Sequence, residues 1–387
     1  MKTLLRIVGV VVAVLLSLLG GIVYSRSGGS RLPDRSKAPL LSSDAVEKVA
    51  DLDFPPGNIA VSAEGRIFFT LHPDGHPSDS VVELSGGKPV PFPDEAFQHP
   101  REDLPYFQSI LAVRIDRLGR LWVLDFARFG RGTPRILAFD TASGRIVHRY
   151  EFPSSVAGLG SMLNDFQVDP EGRYIFIAET SPVLQTPALI VYDTRTKTSR
   201  RVLQGHPSVQ AEPWIIQAGA RRMMLPGGIL PLRIAVDSIA LSRDGQWLYY
   251  GAVTGSRMYR VRASDLVDTS LDAATLASRV ENFADKTLTD GLTTDDAGNV
   301  YIGDMEHSAI HRLKPDGSLE TLVADPRLRW PDGFSFGPGG MLYVTCSALQ
   351  DVLFLDDNEI RSHGPYQIWR LHPPPSGGTP VTAAPGQ

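Results

Sequence analysis

Apolar and polar residues alternate with a period of two along most of the chain, in short runs that stop at glycine. NDFQVDPEG (164–172), DSIALSRDG (237–245), DGLTTDDAG (290–298) and DGFSFGPGG (332–340) share one frame. Each has an acidic or amide start, an alternating run, and a glycine eight positions on. Gly65 and Gly119 close runs of the same kind, IAVSAEG and LAVRIDRLG, so the six glycines are spaced by 54, 53, 73, 53 and 42 residues. A second alternating run follows each glycine (RIFFTL, RLWVLD, RYIFIAE, QWLYYGA, NVYIGD, MLYVTC), and a third often follows that, as in ILAFDT, LIVYDT, MYRVRA, AIHRLK and QIWRLH. Alternation, β-branched and aromatic enrichment, and glycine where a hairpin needs positive φ make each unit a strand, a tight turn and a strand. Six units of three or four antiparallel strands predict an all-β fold, a six-bladed β-propeller over residues 44–373. The one helical pattern inside it runs from Asp272 to Asp285.

The spacing of 73 marks an insertion at 205–236, which carries Trp214, Met223 and Met224 and is too apolar for an ordinary surface loop. It is expected either to lie over one end of the propeller channel as a lid or to fill a gap between blades. Ahead of the repeats, Lys2 and Arg6 precede 18 uncharged residues, Ile7 to Tyr24. That length nearly spans a bilayer core as a helix. Residues 1–25 therefore read as an N-terminal hydrophobic helix, a signal anchor or a signal peptide, and place the domain outside the cytoplasm (the periplasm in a bacterium), membrane-anchored or secreted. Residues 26–43 read as a flexible tether and 374–387 as a disordered tail.

The 387 residues are 42% hydrophobic, enough for a large core, and carry a net charge of −5. No basic cluster follows the N-terminal flank, which excludes a nucleic-acid partner and leaves the membrane as a partner through the N-terminal segment alone. The single cysteine, Cys346, excludes internal disulfides and CxxC sites and sits in a strand as a buried thiol. GFSFG (333–337) matches G-x-S-x-G, but Ser335 lies inside an alternating strand rather than at a strand-to-helix turn. The pairs His72/His76 and His307/His311 fall in strand or turn contexts and read as surface or turn histidines, Glu179 and Asp304 as solvated or paired strand ends, and Arg128 and Arg131 as loop residues able to clamp an anion.

In a propeller the first residues of the inner strands form a ring at one mouth of the channel. Asn164, Asp237, Asp290 and Asp332, with Asp165 beside the first, would face one another there and call for a cation, a ligand amine or water. Asp-Gly at 290–291 and 332–333 also suits the capping of turns that enter the strands. For a ligand-binding ring, Phe166 and Trp214 are candidates for an apolar wall.

RLWVLDFAR (120–128), the run from PRILAFDTASGRIVHRYEFP to NDFQVDP (134–170), LIVYDTRTKTSRRVL (189–203), SIALSRDGQWLYYGAVTGSRMYRV (238–261) and WPDGFSF with LYVTCSALQ (330–350) resemble the yellow / major royal jelly protein family. The resemblance spans about residues 46 to 373, with the units in the family's order, and implies a six-bladed propeller. That group includes secreted nutrient proteins, pigment-pathway proteins credited with dopachrome rearrangement, and salivary relatives that bind biogenic amines in the channel, so it leaves a small-molecule binder and a dopachrome-type isomerase both open. More distantly, NDFQVDPEGRY is similar to the senescence-marker / gluconolactonase propellers, in which a Glu, an Asn and an Asp hold one divalent metal. That likeness implies a metal-dependent lactonase with Asp237 and Asp290 as metal ligands (Ca, Mn or Zn) and as catalytic candidates, and Asn164 on the substrate side. The family's Glu falls near Gly57-Asn58, where this chain has no carboxylate.

Overall fold

A computed structural model describes residues 27–101 and 105–375; the N-terminal hydrophobic stretch and most of the expected tail lie outside the described residues. Six four-stranded antiparallel sheets form the six blades, and a two-stranded hairpin at Gln217–Ala218 and Arg221–Arg222 stands apart from them. The inner strands, in chain order, are Pro56–Val61, Ile110–Ile115, Leu163–Val168, Val236–Leu241, Leu292–Thr294 and Pro331–Phe336. All six turn glycines have positive φ, between 67° and 87°, as the repeat requires.

Blade 6 is closed by the other end of the chain. Glu47–Leu52 supplies its outermost strand and pairs antiparallel with Tyr366–Leu371. This removes the open edges that a linear row of blades would leave. The expected helix at 272–285 is half right: Ala273–Ser278 is helical, capped by Asp272, and Glu281–Asp285 is the outer strand of blade 4. Adjacent blades bury their facing side chains. Between blades 1 and 2 the rings of Phe68, Phe92, Phe97, Phe107 and Phe139 pack largely edge to face, with centroids 5.0–6.0 Å apart.

Five of the six inner strands shift register at the same place, between Pro56/Ile59, Ile110/Ala112, Leu163/Phe166, Val236/Ile239 and Pro331/Phe334. A bulge frees one or two residues from the ladder and re-aims them. Here the freed residues include Asn58, Asn164, Asp165, Asp237 and Asp332, all at one end of the channel. Glycine lets the inner strands approach there. A Cβ on Gly291 would stand 1.4 Å from the Asp332 carbonyl oxygen, and one on Gly333 would stand 2.8 Å from the Asn58 Cα. Gly291→Ala is accordingly expected to destabilise by about 3 kcal/mol or more, since neither neighbour is a movable side-chain tip. A urea midpoint equal to that of the native protein would contradict this packing.

The insertion takes the first of its two expected positions, the lid. Ile216, Ala218 and Met223 are buried in one cluster with Trp330, Leu349 and Val352, while Leu225, Leu232 and Ile234 face the channel mouth. The stretch expected as a tether is laid along the domain from residue 28 on. Ser30 exchanges backbone hydrogen bonds with Pro213 and Ile215, Leu32 is buried beneath the lid, and Leu40 and Leu41 donate backbone N–H groups to Thr321 and Leu322.

Candidate functional site

The bulged ends of the inner strands and the lid enclose a cavity of about 320 Å³ at one channel mouth. Its floor is polar: Asn58, Asn164, Asp165, Asp237, Asp290 and Asp332, joined by His72 and Asp74. The sequence-predicted ring residues thus converge on one space. Its roof and walls are largely apolar, built from Leu225, Leu232 and Ile234 of the lid, Leu349, Leu353 and Phe354 of blade 6, and Phe129 and Met162, with Arg233 of the lid as the one cation in the lining among the described residues.

Two carboxylates of the floor have strong partners. Asp165 is held by the Arg114 guanidinium through a bidentate pair at 2.8 and 2.7 Å, and Arg114 also donates to the Asn58 side-chain oxygen. Burial nevertheless pushes the Asp165 carboxyl up to about 6, against the pull of Arg114. Asp290 accepts the indole N–H of the fully buried Trp330 at 2.6 Å. Burial raises Asp290 as well, opposed by that indole and by nearby His72 and Lys286.

Asp237 and Asp332 are different. Asp237 is 4% exposed and its carboxylate accepts from the Asn164 side-chain amide, with no cation in contact among the described residues. Burial first, then repulsion from Asp290, Asp165 and Asp332, drives it well above the usual carboxylate range. Asp332 is raised in the same way, by burial and then by Asp290, against a hydrogen bond from Ser347. The floor therefore crowds buried acidic groups together, and burial and mutual repulsion favour their protonated forms unless a further positive charge joins them.

His72, expected as a surface or turn histidine, caps the turn Pro73–Gly75 and is buried against the cavity. Its Nδ1 accepts from the Asp74 backbone N–H at 3.3 Å and burial lowers its proton affinity, so the neutral ring carries its proton on Nε2. Lys286 is also buried beside the floor. Its ammonium donates to the carbonyls of Ala252, Gly255 and Thr287 at 2.8, 2.7 and 3.2 Å, and burial lowers its pKa to about 7.

The two apolar candidates lie elsewhere. Phe166 is fully buried between blades 2 and 3, and Trp214 packs within the lid with its indole N–H on Glu212. His311, expected as a surface or turn histidine, is fully buried in the strand Ala309–Leu313 and hydrogen-bonds Asp304 at 3.1 Å beside His307 at 3.0 Å. Burial favours the protonated acid, but the two imidazole donors prevail and hold Asp304 at about 2. Glu179 pairs with Arg201 at 3.5 Å, and Ser335 accepts the Val61 backbone N–H at 3.0 Å inside its strand. These groups support the scaffold.

The floor oxygens of Asp237, Asp290 and Asn164 are of the hard type that Ca²⁺ prefers, but six to eight are needed. Asn58, at the place of the missing Glu, has its side-chain oxygen taken by Arg114. Among the described residues no three His, Cys, Asp or Glu side chains stand close enough together to surround one metal ion. The residues present do not complete a lactonase-type metal site.

Fold and site together define a six-bladed propeller with an acidic, apolar-lidded cavity at one channel mouth. The family model for major royal jelly protein matches residues 108–344. The chain belongs to the major royal jelly protein family. It is 24% identical to major royal jelly protein 3 of Apis mellifera over 213 residues, a stretch that covers 51% of this chain and 37% of that relative. The chain thus spans well under half the length of that curated relative. Among solved structures it is similar in fold to a gluconolactonase from Xanthomonas campestris (15% identity, TM-score 0.53, 85% of this chain and 89% of the other). The calcium-binding protein regucalcin from Agrobacterium tumefaciens is similar to the same degree (16% identity, TM-score 0.54, 87% and 96%).

Proposed function

We propose that the protein binds, and acts upon, a small organic molecule that presents a cationic group to Asp237, Asp290 and Asp332 and an apolar body to the lid. One observation carries this reading: the cavity joins an under-compensated acidic floor to an apolar roof, at a volume of about 320 Å³ that suits a ligand of small-molecule size. A protonated amine on an aromatic or aliphatic frame satisfies both halves, and its charge replaces the proton that the floor otherwise takes up. Asn164 and Asp165 complete the contact surface, and the protein works outside the cytoplasm. A divalent cation on Asp237 and Asp290, with lactone substrates, is the second reading; it draws on the likeness in fold to a gluconolactonase and to regucalcin.

The test is thermal melting of the full chain in EDTA, then with phenethylamine and related amines, then with millimolar Ca²⁺, Mn²⁺ or Zn²⁺. A ligand at 100 times its Kd is expected to add about 2.7 kcal/mol. The amine effect should weaken as the pH falls and the raised carboxylates of the floor protonate, and should vanish in Asp237→Asn. A shift with a metal and none with amines would replace this reading by the second. No shift with either class would refute both.

A further inference from the structure

We infer that the face carrying the cavity mouth docks on a lipid bilayer. Of the nine large hydrophobic side chains that stand exposed among the described residues, six (Phe129, Leu159, Val183, Leu184, Ile229 and Phe354) lie on the loops around this mouth, at 38–70% exposure. The other three are Val90 and Val147 in outer strands and Leu118 at a hairpin turn of the opposite face. The six are not scattered. Gly160, next to Leu159, donates its backbone N–H to the Phe129 carbonyl, and its α-carbon faces Leu184 and Val183; Phe129, Val183 and Phe354 line the cavity itself. A soluble surface seldom gathers apolar side chains in this way without something to cover them. Arg128 and Arg131 flank Phe129 on the same loop, exposed and without a carboxylate partner among the described residues, which adds attraction to anionic headgroups.

The path of the chain selects the bilayer as occupant. Gly28 accepts a hydrogen bond from Arg233, and Arg233 lines the cavity. The chain therefore reaches the domain at the mouth. The uncharged stretch Ile7–Tyr24 ends four residues earlier. Four residues extend at most about 14 Å. A stretch of that length and composition is suited to a bilayer core, and from there it would hold this face, and no other, against the membrane surface. The cavity would then open toward lipid, and its ligand would be drawn from molecules that partition into the interface.

The experiment uses the full-length chain in vesicles of phosphatidylcholine with phosphatidylglycerol, carrying a fluorophore on Leu184→Cys, Phe354→Cys or, on the opposite face, Leu118→Cys. The native Cys346 is buried, and the labelled parent chain serves as blank. Brominated lipids are expected to quench the labels at 184 and 354 several-fold more than the label at 118. Equal quenching at all three positions, or none at 184 and 354 in chains that float with the vesicles, would overturn the inference. So would a chain that stays off the vesicles and shields position 184 only by self-association, which would make the patch an interface between copies.

Discussion

Arg114→Met is expected to cost the protein about 3–5 kcal/mol at pH 7, and clearly less at pH 5. The bidentate pair with Asp165 stands at the centre of the molecule, where Arg114 and Asp165 have side chains 12% and 7% exposed. Removing one partner of a buried pair leaves the other charge in a poor solvent, which sets the size of the loss. The pH dependence follows from the proton count. Asp165 already titrates near 6 with the guanidinium present, and higher without it. Above its unfolded value of about 3.9 the folded variant binds a proton that the unfolded chain does not, so stability falls as pH rises through that window. At pH 5 a neutral Asp165 needs no counter-ion and much of the loss is recovered. Urea titrations at the two pH values decide the point, and a deficit of equal size at both would show that the pair is not what Arg114 contributes.

Asp237→Asn should move stability the other way. An asparagine keeps the volume and can accept the Asn164 amide through its own oxygen, while the buried charge is removed. Asp237 is raised in the folded state, so in the native protein its contribution is present at low pH and is lost as pH rises from about 3.9 through the raised folded value. The variant lacks that loss. A single unit of altered proton affinity is worth about 1.4 kcal/mol, and with roughly 2.1 cal/mol/K of unfolding entropy per residue this corresponds to a rise in Tm of about 2 °C at pH 7. The gap between variant and native protein should close toward pH 4. A variant less stable than the native protein at pH 7 would mean that the carboxylate is already neutralised there. Gain of stability with loss of amine binding, measured on one variant, is the signature of a charge kept for a ligand.

The regular parts of this protein were legible in its sequence because they follow from period-two alternation and turn glycines. The blade count, the hairpins and the gathering of Asn164, Asp237, Asp290 and Asp332 at one mouth all rest on that repeat. The bulges broke the rule. A strict alternation starting at Asn164 puts Phe166 on the same face, toward the channel, but the register shift between Leu163 and Phe166 turns the ring into the gap between blades. The shift in blade 2 lies just ahead of Arg114, which reads in VRID as an ordinary polar position and is in fact the counter-ion of the floor. The strand EKVADL was invisible as part of blade 6 because its partner, Tyr366–Leu371, lies over 300 residues away. The lid could be suspected from its apolar content. Which of its side chains face the cavity depends on contacts across the channel that no local pattern encodes.

The closure of blade 6 also orders events in time. The strand Glu47–Leu52 leaves the ribosome almost first and its partner Tyr366–Leu371 almost last. Until Tyr366–Leu371 is made the growing row of blades can only form an open arc, and Asp332, once added, has no closed ring to complete. A chain that stops short of residue 366 therefore loses more than one strand. It leaves two unpaired edges, on Glu47–Leu52 and on Leu342–Cys346, so a premature stop late in the message yields a product whose ring is not closed.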